Sequence, residues 1–225
     1  MKKILILLAA ALFAADVMAQ DEPTVNWPYL YPDFIEGEST LIGGSTITAK
    51  YNIHLGLGAL HFVNDGVIAE SSVSNILSIR LGDETLLNVG GRMMPVLAVA
   101  EGGYVVKETL ADYSAIVRDD GAYGGSLSNA AKGFSYDENY GNYGYLVTNS
   151  YEDLLSIKNE SEELPVNVKT YLYINGNLVL ANKKSVSALP GVDKKAFAEY
   201  LKNNKVDWKD PAHLAEVIRF IVKPE

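Results

Sequence analysis

Apolar and polar side chains alternate along residues 45–64. Apolar residues from Ile47 to Leu55 alternate with polar ones, a Gly-Leu-Gly interruption follows, and Leu60 and Phe62 resume the alternation. A period of two is typical of half-buried β-strands, so this stretch predicts a β-hairpin. A loop with an even number of residues keeps the apolar residues on one face. The other face then carries Asn52, His54 and His61.

Short apolar segments continue on both sides of this hairpin, with Gly-rich turns between them. The predicted strands are residues 34–42, 67–70, 76–81, 85–89, 93–100 and 104–110. Many short strands joined by tight turns are typical of an antiparallel meander. Because open edges are a liability, we expect the meander to form a barrel or a sandwich.

A second hairpin is predicted within residues 166–181. Its turn is Asn175-Gly176, and Asn-Gly between two alternating segments is the strongest short-range hairpin signal. This turn places Tyr171 and Tyr173 on one face of the hairpin and Leu172 on the other.

The pattern becomes helical from Lys183 onwards. Asp193 is a capping residue for a helix with Phe197 on its apolar stripe. Asp210-Pro211 begins another helix, because proline is favoured at the first helical position. Its apolar residues recur at helical spacing at Leu214, Val217, Ile218 and Ile221. The predicted fold class is therefore mainly β with a C-terminal helical segment (α+β).

The first 19 residues have the pattern of a signal peptide. Lys2 and Lys3 precede an apolar run over residues 4–15, and Ala19 ends a stretch of small residues before a cleavage point. The run is shorter than the roughly 20 residues of a membrane-spanning helix. We expect cleavage after Ala19, a periplasmic or secreted protein, and no membrane span in the mature chain.

Composition narrows the function classes. The 225-residue chain has no cysteine and a formal net charge of −9 at pH 7. It therefore has no disulfide, thiolate metal site or cysteine nucleophile, and its acidity disfavours nucleic acid as a partner. The sequence has no nucleophile-elbow, zinc-protease or phosphate-loop motif, so it predicts no cofactor. Catalysis stays open, and the pattern favours a non-catalytic role.

Residues 119–145 follow neither the strand nor the helix period and are rich in Gly, Asn, Ser and Tyr. A long loop without regular structure is uncommon in a compact domain and is often functional. Tyrosine offers flat apolar area with a polar tip, which suits a glycan or a protein partner. The predicted ligand-binding residues are Tyr123, Tyr136, Tyr140, Tyr143 and Tyr145.

The two histidines of the first hairpin are the candidate metal ligands. His54 and His61 share one face, where cross-strand neighbours come within reach of one ion. A complete site needs at least one further ligand. Asp65 or Glu70 is available nearby, and two histidines on a polar sheet face are the alternative interpretation.

The predicted organisation has four parts. They are a signal peptide at 1–19, an antiparallel β body at 20–118, the Gly/Tyr-rich segment at 119–145, and a hairpin with helices at 146–225. The last part either packs on the body or forms a small second lobe.

The layout also resembles a known class of proteins. The meander GG-STITAKYNIHLGLGALHFVNDG, the motif GAYGG at 121–125 and the tail KKAFAEYLKNNKVDWKDPAHLAEVIRFI carry the resemblance. Together with the export signal, they resemble exported proteins of unknown function common in Bacteroidetes-type bacteria. The resemblance implies export and a β-rich body with a helical tail.

The sequence predicts a non-catalytic binding or interaction protein of the cell envelope. Two alternatives stay open. One is a secreted hydrolase acting on glycan or peptide, and the other is a metal-dependent binding module that uses His54 and His61.

Overall fold

A computed structural model describes residues 24–25, 28–56, 58–112, 135–137, 142–145, 151–152, 155 and 164–222. The predicted signal peptide, residues 1–19, lies outside the described residues. So does most of the Gly/Tyr-rich segment.

Thirteen strands, one 3₁₀ turn and three helices are described. The strands are β1 Thr24–Val25, β2 Ile35–Leu41, β3 Thr46–His54, β4 Ala59–Asn64, β5 Val67–Glu70, β6 Ile76–Leu81, β7 Glu84–Val89, β8 Arg92–Ala100, β9 Gly103–Ala111, β10 Ser135–Asp137, β11 Asn142–Tyr145, β12 Leu164–Ile174 and β13 Asn177–Leu180. The 3₁₀ turn is Val73–Asn75, and the helices are α1 Lys183–Ser187, α2 Lys194–Asn203 and α3 Pro211–Val222.

Eleven strands form one antiparallel sheet. Its order is β1-β12-β9-β8-β7-β6-β2-β3-β4-β5, with β13 paired to β12 beside this path. The mainly β fold with a C-terminal helical segment is confirmed. Among the described strands, β1 and β5 are at the two edges of the sheet and do not pair with each other, so the sheet is not closed into a barrel.

The meander consists of two runs that meet at β2. Strand β6 pairs with β2 and not with its predecessor β5. This pairing covers the second edge of β2, which would otherwise be open. It also brings Ile79 and Leu81 into one buried cluster with Tyr51 and Ile53.

The sheet curls until its two halves touch. The backbone N–H of Ala111, at the end of β9, donates to the carbonyl oxygen of Leu55 at 2.9 Å. Strand β4 also contacts β8. Leu55 and Gly56, which follow β3 in the first hairpin, are buried.

The helices pack on the half of the sheet formed by β8, β9 and β12. Leu214, Val217 and Ile218 of α3 are buried in one cluster with Val105 and Leu172 of the sheet. The predicted caps are confirmed. Asp193 accepts from the N–H groups of Lys195 and Ala196, and Asp210 accepts from that of Ala212.

The Gly/Tyr-rich segment contains regular structure that its composition did not predict. Strands β10 and β11 pair antiparallel, with Tyr136 opposite Tyr143. The expectation of an entirely irregular segment is therefore wrong at residues 135–137 and 142–145. Tyrosine favours strands, and here that preference prevails over the Gly- and Asn-rich composition.

None of the helices in the described ranges is long and apolar enough to cross a membrane.

Gly37 should tolerate no side chain, because β2 lies against β6 at this point. A Cβ at Gly37 would lie 2.6 Å from the carbonyl oxygen of Arg80. We expect Gly37→Ala to lower the free energy of unfolding by about 1–3 kcal/mol, measured by urea titration. Gly43→Ala is the control, since a Cβ there meets nothing within 4 Å. Equal stability of the two variants would contradict the prediction.

Candidate functional site

The two candidate histidines lie on the first hairpin in the predicted register. Ile53 pairs with Leu60 and His54 with Ala59, which puts His54 and His61 diagonally across one face. Their rings stack with centroids 5.2 Å apart and an interplanar angle of 20°. The even loop length and the shared face are confirmed.

This face is buried, which the alternation did not predict. His54 is 1% exposed and His61 is 7% exposed, and Asn52 beside them is also buried. The cause is the segment before β2, which crosses this face. Tyr29 forms an isolated bridge with His54, and its ring packs edge-on against both histidines.

Hydrogen bonds fix the crossing segment to the hairpin. The hydroxyl of Tyr29 and Nδ1 of His61 are 2.9 Å apart. The side-chain amide of Asn52 accepts from the N–H of Tyr31 and donates to the carbonyl oxygens of Tyr31 and Asp33. Tyr29 of this segment is fully buried in the core.

Burial keeps both imidazoles neutral. Desolvation, and then the positive charge that His61 acquires first as the pH falls, lowers the pKa of His54 to about 3. Desolvation lowers the pKa of His61 to about 4. Burial also raises the pKa of Tyr29. The backbone N–H of Gly56 donates to Nδ1 of His54 at 3.3 Å, so Nδ1 is the unprotonated nitrogen.

The two histidines and Tyr29 form a buried structural cluster, and its geometry is poorly suited to binding a metal ion. Nitrogen lone pairs lie in the ring planes, and two nearly parallel planes do not converge on one ion. Glu70 is the register partner of His61 but is exposed, and Asp65 lies in an exposed turn. Within the described ranges, no three His, Cys, Asp or Glu side chains form a metal-binding group. Metal binding by His54 and His61 stays a prediction.

The predicted ligand-binding tyrosines are only partly placed. Tyr136 lies on β10, and Tyr143 and Tyr145 lie on β11. Tyr123 and Tyr140 fall outside the described residues, and so do the side chains of the other three. Ligand binding by this set stays a prediction.

A partly exposed apolar and aromatic surface lies on the half of the sheet that carries the helices, on the side away from them. Val99 pairs with Tyr104, Tyr104 with Tyr173, and Tyr173 with Leu178, so these side chains form one row across four strands. Leu180 follows in the next row beside Tyr171. We call Val99, Tyr104, Tyr173, Leu178 and Leu180 the open face.

Exposure distinguishes the open face from the helix-covered side. Val99 is 63% exposed and Tyr104 is 36% exposed. Val105 and Leu172, which point to the other side, are fully buried under the helices. The sequence separated Tyr171 and Tyr173 from Leu172, but it did not indicate which side the helices cover.

A cavity of about 250 Å³ opens where the open face meets two hairpin turns. Its lining consists of Ala100, Gly102, Gly103, Tyr104, Tyr173 and Asn175. Sequence reasoning missed Tyr104 and this cavity. The detectable signal was the alternation in residues 104–110 combined with the tyrosines of the second hairpin.

Arg92 and Glu108 form an ion pair on the same side of the sheet as the open face. Arg92 donates to Glu108, and the hydroxyl of Tyr171 donates to the other oxygen of Glu108 at 3.1 Å. Burial and the charge of Glu108 raise the pKa of Tyr171. With both carboxylate oxygens engaged, Glu108 is held by its neighbours as a structural acceptor.

Comparison of the chain with protein-family models, curated proteins and solved structures yields no significant match. The resemblance to exported bacterial proteins, the signal peptide and the compartment therefore stay predictions.

Proposed function

We propose that this chain is an exported, non-catalytic binding protein of the cell envelope that contacts its partner through the open face. The observation that carries the proposal is the row of apolar and aromatic side chains from Val99 to Leu178, in which Val99 and Tyr104 are exposed and Tyr173 and Leu178 are partly buried. Contiguous exposed apolar surface marks interaction sites. Tyrosine is enriched in such surfaces because it combines apolar area with a polar tip.

The rigidity of the open face supports the same role. Its strands are held on their other side by the buried cluster of Val105, Leu172 and α3. Tyr104 and Tyr173 are cross-strand partners, so the spacing of their Cβ atoms is set by the sheet. A surface that is ordered before binding loses less conformational entropy when the partner arrives.

The Gly/Tyr-rich segment remains a second proposed part of the binding surface, on the strength of its tyrosines. Deletion of residues 124–144 should then leave a cooperative fold and weaken binding. Unchanged binding by the deletion variant would assign the interaction to the open face alone.

Site-specific photocrosslinking in a bacterial host that expresses the whole chain tests the proposal. A benzoyl-phenylalanine is placed at Val99 of the open face or at Leu77, an exposed apolar residue of β6. We expect discrete crosslinked adducts from position 99 and none from position 77. Absence of adducts at both positions, or equal adducts at both, would contradict binding through the open face.

Catalytic turnover would contradict the proposal that the protein is non-catalytic. Release of sugars or peptides from cell-wall or polysaccharide material by the purified chain, abolished by one carboxylate substitution, would favour the hydrolase alternative. Metal-dependent adduct formation that His54→Ala/His61→Ala removes would favour the metal module.

A further inference from the structure

We propose that the cavity between Tyr104 and Tyr173 binds a single uncharged sugar ring of a glycan chain. The proposal rests on the proposed binding function and names the ligand class of that surface. Its ligand would lie at the end of the open face, between the turn that joins β8 to β9 and the turn that joins β12 to β13.

The side chains that line the cavity have the chemistry of a sugar site. Two tyrosines offer flat ring surface against which the C–H face of a sugar packs. Neither tyrosine hydroxyl is engaged with another residue in the described part of the chain, so both are available to the sugar hydroxyls. The side-chain amide of Asn175 adds donors and an acceptor at the rim.

The charge of the lining favours a neutral ligand. None of the six lining residues, from Ala100 to Asn175, carries a charged side chain. The ion pair between Arg92 and Glu108 lies outside this lining, and its carboxylate also accepts from the hydroxyl of Tyr171. A phosphate or a uronic acid would find no cationic partner in the cavity, whereas a neutral sugar needs none.

The size of the cavity favours one ring. Its volume of about 250 Å³ lies below the roughly 300–1,000 Å³ of pockets that enclose drug-sized ligands. A folded protein segment needs a larger surface, since specific protein interfaces bury on the order of 800 Å² on each partner. The cavity therefore suits one unit of a longer chain that continues along the open face towards Val99.

The walls of the cavity are preorganised. Gly102, Asn175 and Gly176 have positive φ angles of 82°, 48° and 79°, which hold both turns tight. A Cβ at Gly103 would lie 2.5 Å from the carbonyl oxygen of Tyr173, so glycine permits the close approach of the two strands. The distance between the two tyrosines is thus a property of the backbone.

Titration of the whole chain with defined oligosaccharides tests the proposal. The probes are neutral hexasaccharides of glucose, mannose and N-acetylglucosamine, with an oligogalacturonate as the charged control, and the readout is isothermal calorimetry. We expect at least one neutral probe to bind and the charged control to bind at least about tenfold more weakly.

Matched variants locate the binding. Tyr104→Ala and Tyr173→Ala should each weaken binding by about tenfold or more, because an aromatic contact is lost. Tyr104→Phe should retain most of the affinity, and Leu77→Ala should retain all of it. Thermal unfolding of each variant checks that the fold is intact, and the Phe variant remains informative if an Ala variant does not fold.

Two outcomes would overturn the sugar site. One is binding of no neutral probe at millimolar concentration, and the other is binding that Tyr104→Ala and Tyr173→Ala leave unchanged. Protein adducts from position 99 without sugar binding would remove the sugar site and leave the proposed binding function standing. Failure of both experiments would remove both.

Discussion

Between pH 7 and pH 5 we expect the folded protein to lose about 4 kcal/mol of its free energy of unfolding. The source is the buried pair His54 and His61, packed against Tyr29. Each contributes about 2 kcal/mol, because one pKa unit corresponds to about 1.4 kcal/mol. Domains of this kind are stable by only about 5–15 kcal/mol, so the loss is a large share of the total.

The direction of this pH dependence follows from the pKa values of the two histidines. In the folded protein the pKa of His54 is about 3 and that of His61 is about 4, whereas an unfolded histidine has a pKa of about 6.5. Between pH 6.5 and about 4 the unfolded chain binds more protons than the folded one. Stability is therefore complete above pH 6.5 and falls as the pH falls.

Urea unfolding at pH 7, 6 and 5 measures the effect. The His54→Gln/His61→Gln variant should lose most of the pH dependence, whatever its absolute stability, and each single variant should lose about half. His213→Gln is the control, because His213 lies on the exposed side of α3 beside Asp210. An equal decline in wild type and double variant would assign the acid sensitivity to other groups.

Phe197→Ala should be among the most destabilising substitutions in the helical segment. Phe197 is the one buried residue of α2, and its ring lies 6.0 Å from that of Phe220 and 6.3 Å from that of Tyr200. It belongs to the cluster that contains Val105 and Leu172 of the sheet. Removing a buried aromatic ring costs about 3–5 kcal/mol, since the cavity it leaves refills only in part.

Two spectroscopic probes of urea unfolding check this prediction. Tryptophan fluorescence, measured in a Trp27→Phe background because the chain has two tryptophans, reports Trp208, which packs on the same cluster, and far-ultraviolet circular dichroism reports the whole chain. Both midpoints should fall together, because helices and sheet share one core. Glu199→Ala, an exposed position of the same helix, should change stability by less than about 0.5 kcal/mol. A shift of only one probe would indicate that the helices form a separate lobe.

The open face shows how far a candidate site can be predicted from sequence. Alternation put Tyr171 and Tyr173 on one side of β12 and Leu172 on the other, and the structure confirms this. Alternation does not show which side a helix covers, because both sides of the strand carry apolar area. Tyr104 joins Tyr173 only through the pairing of β9 with β12, which are more than fifty residues apart in the chain.

The histidine pair shows the same limit. An even loop put His54 and His61 on one face, because hairpin register is a local property of the turn. The burial of that face depends on Tyr29, which arrives from a Pro-rich segment without strand periodicity. A polar face under such a segment becomes part of the core once its hydrogen bonds are satisfied within the protein.

The sequence by itself determined the local structure. Turns at Asn175-Gly176 and Asp65-Gly66 adopt positive φ angles, and helices begin at Asp193 and Asp210, because neighbouring residues along the chain supply all the interactions involved. The tertiary structure alone decided that β6 pairs with β2, that the helices cover one side of the sheet, and that Tyr29 closes over the histidines. Each of these contacts buries apolar area between segments that are distant in the chain. A local sequence pattern does not encode which distant segments will meet.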